Sequence, residues 1–299
     1  MTGASNAFTT ASSSVRAWVE QTQSDLCAFL EACDGRGKFV HDIWQRPGGG
    51  GGDTAVMTDG AVFEQAGVNS SAVWGEFDDI ALKKLGGEER RFYATGISLV
   101  LHPHNPMVPT VHANFRYFER GDDSWFGGGS DLTPYYPYDE DCQHFHAVWK
   151  SACDRHDPAH YPHFKRWCDD YFTLPHRGEM RGVGGIFFDY LRDDFNADFA
   201  FVRDCGSSFI HAYAPIVERR RDEPFADRER QFQLYRRGRY VEFNLIYDRG
   251  TAFGLATGGR TESILMSLPP LARWQYGYAP EPGSREEAAL AYLHPRDWA

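Results

Sequence analysis

Between Val111 and Phe118 the chain reads Val-His-Ala-Asn-Phe-Arg-Tyr-Phe, an alternation that an extended strand sorts into two chemically distinct faces. Val111, Ala113, Phe115 and Tyr117 fall on one face and require a core. His112, Asn114 and Arg116 fall on the other, which the residues alone leave open as either a solvated surface or the floor of a pocket. The run from Gly96 to His102 has the same period, with Ser98 and His102 sharing a parity. Prolines at 103, 106 and 109 fill the connection, so a hairpin there would bring Ser98, His102, His112, Asn114 and Arg116 together.

Around this pair the periods separate helices from strands. Val15, Trp18, Val19, Thr22, Leu26, Phe29 and Leu30 recur at helical steps until Asp34-Gly35 stops them. Helical patterns also span Asp141 to His156, Pro162 to Phe172, Ala200 to Arg221 with a kink expected at Pro215, and Asp227 to Arg237. A capping box, Ser284-Arg-Glu-Glu287, opens the last helix. Gly182 to Asp189 reads as a strand. So do Tyr240 to Tyr247 and Thr251 to Leu255, joined by the turn-like Asp248-Arg249-Gly250, with Glu242, Asn244 and Asp248 sharing a side. No repeat and no polar linker divides the chain. The expectation is a frayed segment over 1–14 followed by one α+β domain over 15–299, built on a mainly antiparallel sheet.

Composition removes several function classes. A net charge of −11 leaves no basic footprint for nucleic acid, and any anionic ligand must be met by a few placed arginines. No run of about 18 apolar residues is present, which predicts no membrane span, and the start lacks a signal-peptide core, which predicts a cytoplasmic protein. The six cysteines form no C-x-x-C pair. Gly48 to Gly52 lacks the Gly-Lys-Ser/Thr ending of a phosphate loop, leaving a flexible loop or a close backbone approach. Among the twelve histidines, His102, His104, His112, His144, His146 and His176 are natural metal candidates, but their spacing is a weak signal. Asp131 follows a glycine-rich turn beside bulky aromatics, and Gly258-Gly259-Arg260 offers backbone donors beside a guanidinium, a sensible carboxylate clamp.

Several longer strings carry a resemblance. They include Phe63-Glu-Gln-Ala-Gly-Val-Asn69, His102-Pro-His-Asn-Pro-Met-Val-Pro-Thr-Val-His112, Ala113-Asn-Phe-Arg-Tyr-Phe118 and Gly127-Gly-Gly-Ser-Asp-Leu-Thr-Pro134. Arg181-Gly-Val-Gly-Gly-Ile-Phe-Phe-Asp189, Arg236-Arg-Gly-Arg-Tyr-Val-Glu-Phe-Asn244 and Thr257-Gly-Gly-Arg-Thr-Glu-Ser-Ile-Leu-Met-Ser267 continue it. Together they resemble the oxygen-dependent coproporphyrinogen III oxidase family from about residue 15 to the C-terminus. The resemblance implies a large antiparallel sheet covered on both faces by helices and a homodimer, with an interface expected around 240–275. It also implies oxidative decarboxylation of two propionates of coproporphyrinogen III to the vinyls of protoporphyrinogen IX, with dioxygen as co-substrate and carbon dioxide and hydrogen peroxide released.

The same resemblance assigns His112 as general acid, with further catalytic roles for Asp131, Asp248 and Arg249. Substrate contacts fall to Ser98, Asn114, Phe115, Arg116, Gly258, Gly259 and Arg260. His102, His112, His146 and His176 match positions assigned as metal ligands in some members. One departure stands out: Tyr190 replaces the second aspartate of the family's usual Phe-Phe-Asp-Asp-Leu, while Asp189 is kept. The electron-rich substrate can itself reduce dioxygen once a pyrrole N–H is deprotonated, so no obligatory cofactor is expected, and a divalent metal is doubtful. No C-x₃-C-x₂-C cluster of an iron–sulfur radical enzyme is present. The rival readings are a histidine-ligated metal oxygenase and a non-catalytic tetrapyrrole carrier.

Overall fold

The computed structural model describes residues 10–77, 79, 82, 87–256 and 259–299. The hairpin expected from the alternation is present: β4 (Arg91–Pro103) and β5 (Thr110–Arg120) pair antiparallel, with Ser98 opposite Asn114, Val100 opposite His112 and Gly96 opposite Arg116. Before it come α1 (Thr10–Asp34), β1 (Val40–Gln45), β2 (Gly50–Thr58) and β3 (Phe63–Glu76). After it follow β6 (Asp123–Thr133), α2 (Asp139–Asp154), α3 (His160–Tyr171), β7 (Thr173–Leu174), β8 (Glu179–Met180) and β9 (Gly184–Leu191). The chain ends with α4 (Phe195–Arg220), α5 (Asp227–Ile246), α6 (Arg249–Ala256), α7 (Thr261–Leu265) and α8 (Arg285–Leu290). Strands β1 to β6 form a meander, and β9 adds beyond β6 to give a seven-stranded antiparallel sheet.

Alternation gives this sheet one apolar and one polar face. Val68, Ile97, Leu99, Ala113, Phe115 and Ile186 are buried on the first, against Val19 and Leu26 of α1, Phe145 and Trp149 of α2 and Phe209 of α4. The second face is covered by α5 and the segment carrying α7. Gln65 donates to the Met266 and Leu268 carbonyls at 2.8 and 2.9 Å, and Asn69 donates to the Ser263 carbonyl at 2.8 Å. Met266 sulfur lies over Gly67, where a Cβ would collide with it. Helices therefore lie on both faces, and the α+β expectation holds.

Three expectations change. Tyr240 to Tyr247 and Thr251 to Leu255 are not strands but parts of α5 and α6. From Arg236 to Asn244 every residue of α5 is buried, with Arg237, Arg239 and Glu242 held by charged partners, so no polar face marks the 3.6-residue period. The first helix takes in Thr10–Ser14, assigned above to a frayed segment; Ser12 is buried there, and its carbonyl accepts from the Tyr93 hydroxyl at 3.5 Å. Of the two readings of the glycine run, the close backbone approach holds and the flexible loop does not. Gly50 takes φ +86° at the turn, and Gly51 and Gly52 pair in β2 where a Cβ would strike the Trp44 and Ser70 carbonyls.

Asp34, at the end of α1, ties that helix to the β2–β3 turn. Its buried carboxylate accepts the backbone N–H groups of Gly37, Ala61, Val62 and Phe63 at 2.6 to 3.0 Å. Burial works to raise its pKa, but these four donors outweigh it and pull the group down to about 2. A depressed folded pKa stabilises above the unfolded value near 4 and stops doing so as pH falls towards 2. Asp34→Ala should lower the unfolding free energy by about 2–4 kcal/mol at pH 7. In urea denaturation, the gap between variant and wild type should shrink between pH 4 and pH 2.

Candidate active site

The polar face is not uniformly covered. Across its centre, Asn69, Ser98, Asn114 and Gly129 stand opposite one another on β3 to β6, and Ser71, Gly96, Arg116 and Gly127 form the next row. Ser98, Asn114 and Arg116 are all half-buried, so the mid-sheet floor is reached by solvent where a packed core would be expected. Their half-burial beside the layer made by α5 and α7 makes this stretch of the polar face the candidate cleft.

Arg116 is held rather than loose. Its Nη1 donates to Asn114 Oδ1 at 3.0 Å, and its Nη2 lies 2.9 Å from Asp189 Oδ2. A β-bulge aims Asp189 at it: Phe126 pairs with Leu191 and Gly128 with Phe188, so Asp189 and Tyr190 together oppose Gly127. A Cβ at Gly127 would sit 2.5 Å from Asp189 Oδ1 and 2.8 Å from Arg116 Nη2, so any side chain there would displace this ion pair.

One row further, His112 faces Asp131 across β5 and β6, and its Nδ1 meets Asp131 Oδ1 at 2.9 Å. Asp131 in turn accepts two bonds from Arg181, Nε to Oδ2 at 2.9 Å and Nη2 to Oδ1 at 2.7 Å. Arg181 Nη1 donates to Asn244 Oδ1 of α5 at 2.8 Å. The guanidinium is 4.1 Å from the Phe172 ring centroid, 4.5 Å from Tyr240 and 4.8 Å from Phe243. Burial works to raise the Asp131 pKa, but the Arg181 charge and the His112 bond outweigh it and hold the carboxyl below its ordinary value. Asp131 is thus a fixed anion that engages the His112 ring at Nδ1, so Nε2 is the ring nitrogen it does not use.

The other expected residues divide. Asp248 begins α6: its Oδ2 accepts the Thr251 N–H at 2.7 Å and its Oδ1 accepts the Tyr171 hydroxyl at 2.8 Å. Burial pushes its pKa up, yet these donors and the Arg181 charge hold it below the usual carboxylate range. Tyr171 stacks on Phe187 at 4.4 Å, and Phe187 ends the Ser98–Asn114–Gly129 row, so Asp248 and Arg249, whose guanidinium lies 4.9 Å from the Tyr171 ring centroid, border the cleft. Arg260 pairs with Asp42 of β1 and donates to Ser263 at 3.1 Å, and Gly259 N donates to the Gly254 carbonyl at 2.8 Å. Gly258 lies outside the described residues. Phe115 is not a cleft residue: its side chain points to the apolar face, 6.4 Å from Trp18.

The four histidines matched to metal positions do not meet. His102 bonds Thr110 and the Ser267 carbonyl, His146 bonds Tyr161 and the Val183 carbonyl, and His176 bonds Glu242 and Tyr247, so both nitrogens of each ring are engaged. Burial pushes the pKa of His102 and of His146 down to about 3. Among the described residues, no three His, Cys, Asp or Glu side chains could hold a metal ion together. Two grooves along α2, one shared with Ser208 and His211 of α4 and the other with the terminal Ala299, lie over the other face of the sheet.

The sequence reading did not single out Arg181, Tyr171 or Phe187 as site residues. For Arg181 a signal existed, a lone cation between Met180 and the apolar run Val183 to Phe188. A family model described as coproporphyrinogen III oxidase matches residues 14–298 of the chain, nearly all of it.

Removing a buried charge's partner leaves the other uncompensated. Arg181→Met should therefore destabilise the fold by about 3–5 kcal/mol, read as a lowered urea midpoint, whereas Arg181→Met combined with Asp131→Asn should recover part of the loss.

Proposed function

This chain belongs to the coproporphyrinogen III oxidase family, and we propose that it is the oxygen-dependent enzyme, converting two propionates of coproporphyrinogen III to vinyl groups. Family membership makes it an oxidoreductase of porphyrin biosynthesis acting on coproporphyrinogen III. The observation that carries the finer reading is the half-buried arginine of the polar face, Arg116, two sheet rows along β5 from the oriented histidine of the His112–Asp131–Arg181 chain.

In each half-reaction one propionate loses its carboxyl as carbon dioxide and one hydrogen from the carbon beside the pyrrole. Dioxygen accepts the two electrons and two protons and leaves as hydrogen peroxide. A guanidinium carries five donors, so Arg116 can keep Asp189 and Asn114 and still bind a substrate carboxylate. In this reading Arg249 and Arg260, the latter also paired with Asp42, take further propionates and supply cations that a chain of net −11 otherwise lacks. His112, its tautomer set by Asp131, carries protons at Nε2. Asp248 remains ionised and serves as the acceptor for a pyrrole N–H, stabilising the ring as it gives up electrons. In this reading Tyr171 and Thr251 fix its orientation. The chemistry is assigned to substrate and dioxygen, with no obligatory cofactor.

Exposed apolar side chains at Leu245, Ile246, Leu271 and Trp274, each more than half accessible, support self-association through the 240–275 region as a homodimer. No helix among the described residues is long and apolar enough to cross a membrane.

The deciding experiment supplies coproporphyrinogen III with and without air and follows carbon dioxide, peroxide and protoporphyrin. Two equivalents each of carbon dioxide and peroxide are expected per product in air and none without it; equal conversion under both conditions overturns oxygen dependence. Asp248→Asn should lower kcat at least tenfold with KM within threefold, and Arg116→Gln should raise KM by about ten- to a hundredfold, the equivalent of one lost charge-assisted bond. Full turnover after chelation and metal analysis is expected.

A further inference from the structure

Beyond Arg116, the cleft face of the sheet ends in aromatic rings. Phe118 and Trp125 face each other on β5 and β6 with centroids 4.8 Å apart, and Phe92, one row further along β4, sets its ring 6.3 Å from Phe118. Tyr190 closes the row, its ring 5.4 Å from Trp125 and inclined by 29°. Between these rings and the Ser98–Asn114 row lies the row containing Gly96, Arg116 and Gly127, where two of three adjacent strands present no side chain.

Tyr190 does not fit the requirements of folding. It takes φ +56°, the left-handed region that a bulky L-residue rarely adopts, and it is 56 % exposed, so little burial offsets that strain. The bulge does two things at once: it turns Asp189 onto Arg116 and lays the next residue's ring against Trp125. A large apolar ring is thereby held in solvent one sheet row from the arginine of the cleft floor.

We propose that Tyr190, backed by Trp125, is a specificity-determining contact that packs against a pyrrole ring of the macrocycle while Arg116 holds that ring's propionate. The inference rests on coproporphyrinogen III being the ligand. A propionate places its carboxylate two methylenes from the ring, so a carboxylate on Arg116 puts the ring within a row of that arginine, over the glycines and beside the aromatic edge. The sp³ meso carbons of a porphyrinogen let one pyrrole tilt onto this edge independently of the other three.

The test compares wild type with Tyr190→Asn, which tolerates the left-handed conformation but removes the ring, and Tyr190→Phe, which keeps it. Binding is read by absorbance titration of coproporphyrin III, the oxidised macrocycle with the same four propionates, and steady-state turnover of coproporphyrinogen III is measured in parallel. Tyr190→Asn should weaken binding about three- to tenfold and raise KM in step with kcat within twofold, as expected for one lost aromatic contact. Its thermal midpoint should not fall, because the strain is relieved; Tyr190→Phe should bind within twofold of wild type. Binding of Tyr190→Asn within twofold of wild type, an equal loss in Tyr190→Phe, or no binding by wild type overturns the proposal. The two readings fail separately: binding that depends on the ring without turnover overturns the enzymatic reading alone, and turnover with ring-independent binding overturns the contact alone.

Discussion

Arg181 brings a full positive charge to a place that water does not reach, and the surrounding structure is arranged to make that tolerable. Desolvating a guanidinium costs several kcal/mol, which is recovered only when its donors are met with good geometry. Asp131 takes two of them, Asn244 takes a third, and three aromatic rings lie close to the cation. Those partners come from β6, α3's end and α5, so this side chain ties the second helical layer to the sheet. It also completes the line to His112, whose ring is aligned because Asp131 cannot move.

The same economy of placement governs the polar face as a whole. Buried charges elsewhere on α5 are met individually, Arg237 by Glu64 and Arg239 by Glu242, with the Trp274 indole and Arg177 also donating to Glu242. The Arg239–Glu242 pair is internal to α5, but Arg237–Glu64 and Arg177–Glu242 cross to other segments, so a shift of α5 would leave those charges unpaired together. The helix is thereby positioned over the outer parts of the polar face while the middle, floored by small residues, stays open. A net negative chain can still present cations to an anion there, because the relevant charges are few, close and partly shielded from solvent.

Much of the sheet was legible from short-range pattern. The β4–β5 hairpin, its register parity and the facing of His112, Asn114 and Arg116 follow from a period of two, which any extended strand with one buried face must show. The long helices α1, α2, α3 and α4 likewise lie where the 3.6-residue period put them, Pro215 being accommodated inside α4. The pattern placed the first half of α5, over Asp227 to Arg237, and failed in its second half for a physical reason. From Arg236 to Asn244 every residue is buried, so no polar stripe marks the helical period and the charged residues read locally as the polar half of a strand. Asp248 was legible as a turn residue, but its role as the first acceptor of α6 depended on the neighbouring segments being helices.

By itself the sequence determined the two-faced sheet, the polar triplet at its centre and, through its long shared strings, the family. Only the tertiary structure decided that the polar face is a cleft and that Asp131 answers both His112 and Arg181. It also decided that Asp189 turns onto Arg116 and that the four histidines stay apart. The reason is range: periodicity reports which way a side chain points, whereas a charge's partner is chosen by where the chain returns. For Arg181 that meant residues 50 and 63 positions away.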